Sequence, residues 1–167
     1  MITLLVDSTK SLERSWTINT IKTILDKCKD IYNLVIFGRQ ALPIIEQSNN
    51  LNTIIKVLEE APFMPGIPEP LKALRQAIEI DTDLNHIPGE AYNIIMLWSM
   101  SKKPRLDPWP ALYYLVSRNY NINIVSYRTT PPKWITQFTH AYLSDKVKIY
   151  YKRPKQKYKD LVKSLEC

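Results

Sequence analysis

Glycine, histidine and cysteine are scarce in this chain. With three glycines in 167 residues there is no G-x-G-x-x-G and no Walker loop, which argues against a nucleotide site built on a phosphate cradle. The two histidines, His86 in NHIPG and His140 in FTHAY, lie far apart, as do the two cysteines, Cys28 and Cys167. Such spacing makes no zinc knuckle and no disulfide framework. Cys28 reads as a small buried hydrophobe at a helix end, and both histidines read as local hydrogen-bonding or surface residues. Ser8, Ser11 and Ser99 have no G-x-S-x-G around them and no nearby base, so nucleophilic catalysis lacks its parts. No apolar run approaches the roughly 18 residues of a membrane span. The first residues lack the basic stretch of a signal peptide. A cytoplasmic chain with no membrane contact and no cofactor is expected.

What is present fits one globular domain: 45% hydrophobic and 23% charged residues, in a length that buries one sizeable core. The net charge of +7 is uneven. Between Lys146 and Lys163 the basic residues face a single acid, Asp160, and this segment alone accounts for the whole excess. The expected organisation is an α/β domain over residues 1–145, with 146–167 as its basic last strand and tail.

Short apolar runs alternate with helical periodicity. ITLLV at 2–6 reads as a buried strand, and Trp16, Ile18, Ile21, Leu25 and Cys28 recur at helical spacing after it. IYNLVIFG is a second strand. ALPIIEQ follows with Pro43 inside it, which places it at a sheet edge because proline removes a ladder donor. Asn49 or Asn50 caps a helix over 51–59. The rigid loop EEAPFMPGIPEP leads to a helix starting near Pro68 or Pro70. DTDLNHIPGE reads as a loop, YNIIMLW as a strand, DPWPALYYLVSR as a helix, INIVSY as a strand, TTPPKWITQF as one or two helical turns and KVKIYY as a last strand. Strands separated by helices predict a three-layer α/β sandwich, with a Rossmann-like, mainly parallel sheet and one antiparallel edge strand.

The stretch after the first strand, DSTKS, offers Asp7, Thr9 and Ser11 at alternate positions, oxygen donors of the type a hard divalent cation takes. The competing reading is a helix start, with Ser8 or Ser11 as cap and Asp7 near the positive end of the dipole. The order of elements from residue 2 to about 145 resembles the von Willebrand factor type A domain. The D-x-S-x-S of that family matches Asp7, Thr9 and Ser11. Its glycine-threonine pair before an A-L helix corresponds to GIPEPLKAL, and its T-D-G after the fourth strand to WSM. The departures fall on the metal ligands. Pro68 stands where the second-loop threonine belongs, Ser99 in place of the aspartate and Met100 in place of the glycine. The resemblance therefore implies the fold with a degenerate metal-ion-dependent adhesion site (Asp7, Thr9, Ser11, Ser99) and no tightly held metal.

The expected function is a non-catalytic interaction or scaffold subunit of an intracellular complex, docking a protein partner through loops at the carboxyl edge of the sheet. Trp109 in DPWPALYY and Trp134 in TPPKWITQF are its candidate contact residues, because proline-stiffened loops present aromatics at low ordering cost. Two alternatives stay open. One is an electrostatic nucleic-acid accessory using Lys146, Lys148, Lys152, Arg153, Lys155, Lys157 and Lys159, sequence-blind because no reading module accompanies them. The other is a PIN-like metal-dependent nuclease centred on Asp7, with Glu46, Asp107 and Asp145 as further carboxylates.

Overall fold

The computed structural model describes residues 1–83, 92–137, 145–152, 162, 163, 165 and 167. Its core is a six-stranded sheet: β1 (Ile2–Asp7), β2 (Tyr32–Phe37), β3 (Ala41–Ser48), β4 (Tyr92–Trp98), β5 (Tyr120–Ser126) and β6 (Val147–Tyr151), in the order β3-β2-β1-β4-β5-β6. β1 lies between β2 and β4 and is parallel to both, and all six of its residues are buried. A strand covered on both faces has no use for polar alternation, which is why ITLLV is continuously apolar but for Thr3.

Among the described strands only β3 runs antiparallel, at the edge beside β2. Pro43 sits opposite Val35, and the register slips on either side of Leu34. Gln47 takes a left-handed φ of 48° and donates its amide to Asn33 Oδ1. Together these form a bulged, proline-bearing edge that resists further strand addition.

Among the described residues, the α-helices flanking the sheet are α1 (Arg14–Lys27), α2 (Leu51–Glu60), α3 (Pro70–Asp83) and α4 (Trp109–Ser117). A five-residue 3₁₀ helix covers Lys133–Gln137. Side-chain alternation along the strands divides the core in two. Leu4, Val6, Leu34 and Ile36 pack with Trp16, Ile21, Ile24 and Ile54 of α1 and α2. Leu5, Val35, Met96 and Trp98 pack with Leu74, Ala77, Leu112 and Leu115 of α3 and α4. Asn50 caps α2 by accepting the Thr53 amide at 3.1 Å. Asp107 accepts the Trp109 amide at 2.9 Å ahead of α4.

Three local expectations change. Helix α1 begins at Arg14 with no side-chain cap, so neither Ser8 nor Ser11 caps it. Helix α3 runs on through Asp81–Asp83, which the sequence suggested as loop, and there the buried Asp81 accepts from the half-exposed Arg118 and from the Tyr120 hydroxyl. Cys28 is not a free buried thiol: it forms a disulfide with Cys167 across 139 residues, with 5.8 Å between Cα atoms. Val162 and Leu165 return to the first core cluster, and Lys27 Nζ donates to the carbonyls of Val162, Lys163 and Leu165. That docking places the two sulfurs together. Spacing in sequence carried no sign of it.

Candidate functional site

Parallel strands end on one side of the sheet, and the loops leaving β1, β2, β4 and β5 meet there, at the place where open α/β sheets usually bind ligands. Asp7, the last residue of β1, is the centre of this edge and is only 2% exposed. Its Oδ1 accepts the Thr9 amide at 2.9 Å and the Thr9 hydroxyl at 2.7 Å, and its Oδ2 accepts the Ser99 amide at 2.9 Å. Three of the roughly four lone-pair sites of a carboxylate are thus taken by protein donors. Burial pushes the Asp7 pKa up from its ordinary value, while the hydrogen bonds from Ser99 and Thr9 pull the other way without cancelling it. Among the described residues, no cation hydrogen-bonds to this acid.

The neighbouring positions complete the picture. Ser99 is buried, its hydroxyl 3.4 Å from that of Ser101. Met100 adopts φ 51°, the left-handed region a glycine enters freely, and its side chain is fully buried. The β4 turn therefore keeps a glycine-like backbone at a cost of roughly 1–2 kcal/mol, offset by apolar burial. Pro68 supplies no side-chain oxygen, and the next residue, Glu69, is 2% exposed. Glu69 accepts the amides of Arg105 at 2.8 Å and Leu106 at 3.1 Å, pinning the β4–α4 loop against the start of α3.

The loop before α3 is fixed just as firmly. Ser8 donates its hydroxyl to the Pro62 carbonyl at 2.9 Å, and its own carbonyl accepts the Met64 amide at 2.8 Å. Arg39 N–H donates to Pro65 O at 3.1 Å. A Cβ added to Gly38 would stand 2.7 Å from Met64 Cβ, so only glycine permits this close approach. Arg14 Nη1 donates to the carbonyls of Leu58 and Ala61, both at 2.8 Å, closing the end of α2, and its guanidinium lies 4.5 Å from the ring centroid of Phe63. Phe63 remains 51% exposed. Arg14, Phe63 and Glu69 were missed from sequence. The one available signal was an aromatic set between prolines in EEAPFMPG.

Of the proposed metal-site residues, the structure brings Asp7, Thr9 and Ser99 together and leaves Ser11 exposed in a turn. Trp109 and Trp134 are half-buried against the second core cluster: the Trp109 ring centroid lies 6.5 Å from that of Tyr113, and Trp134 lies 5.6 Å from Trp98. Lys146 donates to Asn119 Oδ1 at the amino end of β6, Lys148 lies within the strand, and Lys152 sits over the Tyr127 ring at the carboxyl end. The three described lysines are thus spread along the strand. Arg153, Lys155, Lys157, Lys159, His86 and His140 lie outside the described residues. The nuclease carboxylates do not converge on Asp7. Glu46 is within edge strand β3, Asp107 caps Trp109, and Asp145 precedes β6 at the opposite sheet edge. Among the described residues, no group of three or more His, Cys, Asp or Glu is placed to hold a metal ion, and no helix is long and apolar enough to cross a membrane.

No family model and no curated protein matches the sequence. Solved structures do match the fold. Proximal thread matrix protein 1 of the mussel byssus superposes with a TM-score of 0.74 at 13% identity, over 97% of this chain and 46% of that one. The SpRpn10 VWA domain gives 0.69 at 11% identity, over 96% and 92%. The manganese-loaded Plasmodium vivax TRAP protein gives 0.63 at 15% identity, over 75% and 56%. The chain thus spans just under half the length of the mussel protein it matches. Its fold is that of a von Willebrand factor type A domain.

One structure of the mussel protein has zinc in its MIDAS motif. The residues of this chain do not fit such an ion. The single central carboxylate is buried and committed to Thr9 and Ser99, Glu69 faces backbone amides, and Pro68 offers nothing. The site is a degenerate form of the motif, in which internal donors occupy the carboxylate that a cation would use.

Proposed function

We propose that this chain is a non-catalytic protein-interaction domain, a scaffold subunit of a larger intracellular assembly that docks through the loops at the carboxyl edge of its sheet. The observation that carries this reading is the closure of Asp7 by Thr9 and Ser99. It converts a ligand-binding position into a structural knot and leaves a rigid edge in place of an ion site. The fold likeness to von Willebrand factor type A domains, the SpRpn10 VWA domain among them, supports the class. Trp109 and Trp134 belong to the contact face in this reading, as half-buried aromatics at loop–helix junctions.

Photo-crosslinking residues placed at Lys103 and Pro131 on the carboxyl edge, and at Lys56 and Glu79 on the helix faces, test it in cells. Adducts should form from the edge positions, persist in chelator and diminish in Trp109→Ala. Adducts only from the helix faces, or lost on chelation, overturn the reading. A cytoplasmic setting belongs to the same proposal. There the Cys28–Cys167 pair would rest as thiols, because disulfides persist in oxidising compartments; alkylation and mass spectrometry of protein trapped directly from cells decides it.

A further inference from the structure

Two acids of the carboxyl edge turn inward while its bases turn outward. Asp7 and Glu69 are both buried and spend their oxygens on Thr9, Ser99, Arg105 and Leu106. Glu13 is held by Ser15 and the Tyr127 hydroxyl, and Asp107 by the Trp109 amide. On the same loops Lys10, Arg39, Lys102, Lys103 and Arg105 are exposed. Glu13, Asp107 and, at the end of α2, Glu59 and Glu60 are exposed, but Glu13 and Asp107 already accept protein donors. The cations clustered at Lys102, Lys103 and Arg105 therefore set a locally positive field.

Phe63 supplies a second feature. The residues on both sides of it are bonded to Ser8, one face of its ring rests near Arg14, and half of its surface is open. An aromatic already fixed in its bound conformation gives up little entropy on binding. Lys10 lies two residues after Ser8, which holds this loop, and the Arg39 side chain lies against Gly66 of the same loop, with its Cβ 2.9 Å from where a Gly66 Cβ would stand.

We propose that the carboxyl edge takes an acidic segment of a partner protein, whose carboxylates meet Lys10, Arg39, Lys102, Lys103 and Arg105 while an apolar side chain seats on Phe63. The inference rests on the proposed docking edge and specifies its chemistry. A protein segment suits the surface better than single-stranded nucleic acid. Strand binders lay successive bases on a row of exposed aromatics along a basic track, whereas among the described residues of these loops Phe63 is the exposed aromatic and Trp109, Trp134 and Tyr127 are half-buried. Tyr127 already carries Lys152 on its ring and Trp16 at its edge, and Trp109 and Trp134 pack beside Tyr113 and Trp98.

The test uses the full chain and three fluorescent probes: a peptide with Leu-Phe between two pairs of glutamates, the same peptide with glutamines, and a twelve-residue oligothymidylate. Amide NMR of the labelled protein maps the contacts, and thermal melts confirm that each variant folds. The glutamate peptide should bind at low salt, shift the amides of residues 10, 39, 63 and 102–106, and lose about tenfold in affinity when its acids become glutamines. Phe63→Ser and the pair Lys102→Glu, Lys103→Glu should each weaken it by about fivefold or more. Tighter binding of oligothymidylate than of the glutamate peptide overturns the proposal in favour of nucleic acid. Undetectable peptide binding, or binding indifferent to both variants, overturns it as well. Crosslinks to a protein partner from Lys103 in the same circumstances would leave the docking edge standing with a different chemistry, so the two failures are distinguishable.

Discussion

The two ends of the sheet each bury an aspartate, and they hold it by different means. At the carboxyl edge Asp7 has only neutral donors, the amides of Thr9 and Ser99 and a hydroxyl. At the amino edge Asp81, 1% exposed, accepts Arg118 Nε at 3.2 Å and the Tyr120 hydroxyl at 2.9 Å. Burial and that bond to Asp81 push the Tyr120 pKa up, keeping the hydroxyl a donor throughout the accessible pH range. The amino edge also carries Cys28 of the disulfide and the Lys27 clamp on the C-terminal carbonyls. A charge paired with a charge, or a covalent bond, anchors one end. Oriented dipoles alone hold the other. An acid held by dipoles keeps its place and forgoes the cation that a metal site would give it.

The largest effect should come from the covalent tie. In the oxidised protein Cys28→Ser removes a cross-link closing most of the chain, and should cost about 3–5 kcal/mol in denaturant unfolding, with a steeper dependence on denaturant as the unfolded ensemble expands. Unchanged stability would show that the anchoring of the amino edge is ionic alone.

Asp7→Ala comes next. It leaves the buried Thr9 and Ser99 amides without their acceptor, and should cost about 3 kcal/mol. Asp81→Ala should cost less, about 2 kcal/mol, because Arg118 is 43% exposed and can turn to solvent, leaving the Tyr120 hydroxyl as the main loss. Equal losses in parallel melts would dissolve the distinction between the two edges.

A smaller effect is expected from pH. The raised pKa of Asp7 means that the native state holds its proton more tightly than the unfolded chain. The stability this group contributes is therefore full below about pH 4 and declines as pH rises through the native value. Asp7→Asn lacks that titration. The difference in Tm between wild type and Asp7→Asn should move in favour of the variant as pH climbs from about 4 towards 7. A difference that moves the other way would mean Asp7 is stabilised as an anion. The smallest expected effect is none at all: calorimetric titration with Mg²⁺ or Mn²⁺ should show no saturable micromolar site. A one-to-one isotherm abolished by Asp7→Ala would put the cation back.

Much of this architecture was legible before any coordinates. Continuous apolar runs such as ITLLV and YNIIMLW belong to strands buried on both faces, helical periodicity over 16–28 belongs to α1, and Pro43 belongs to an edge. Each is a local rule, with spacing and residue type acting within one element. The absence of ligand oxygens at Pro68 was legible for the same reason, since a residue type either carries a donor or does not. Tertiary structure decided everything that depends on residues remote in sequence. It decided that Ser99, 92 positions away, closes Asp7; that Glu69 turns inward to hold Arg105 and Leu106; and that Arg14 sits near Phe63. It also brought Cys28 to Cys167. Hydrogen bonds, ring contacts and disulfides act over a few ångströms, and only the folded chain sets which distant residues come within that reach.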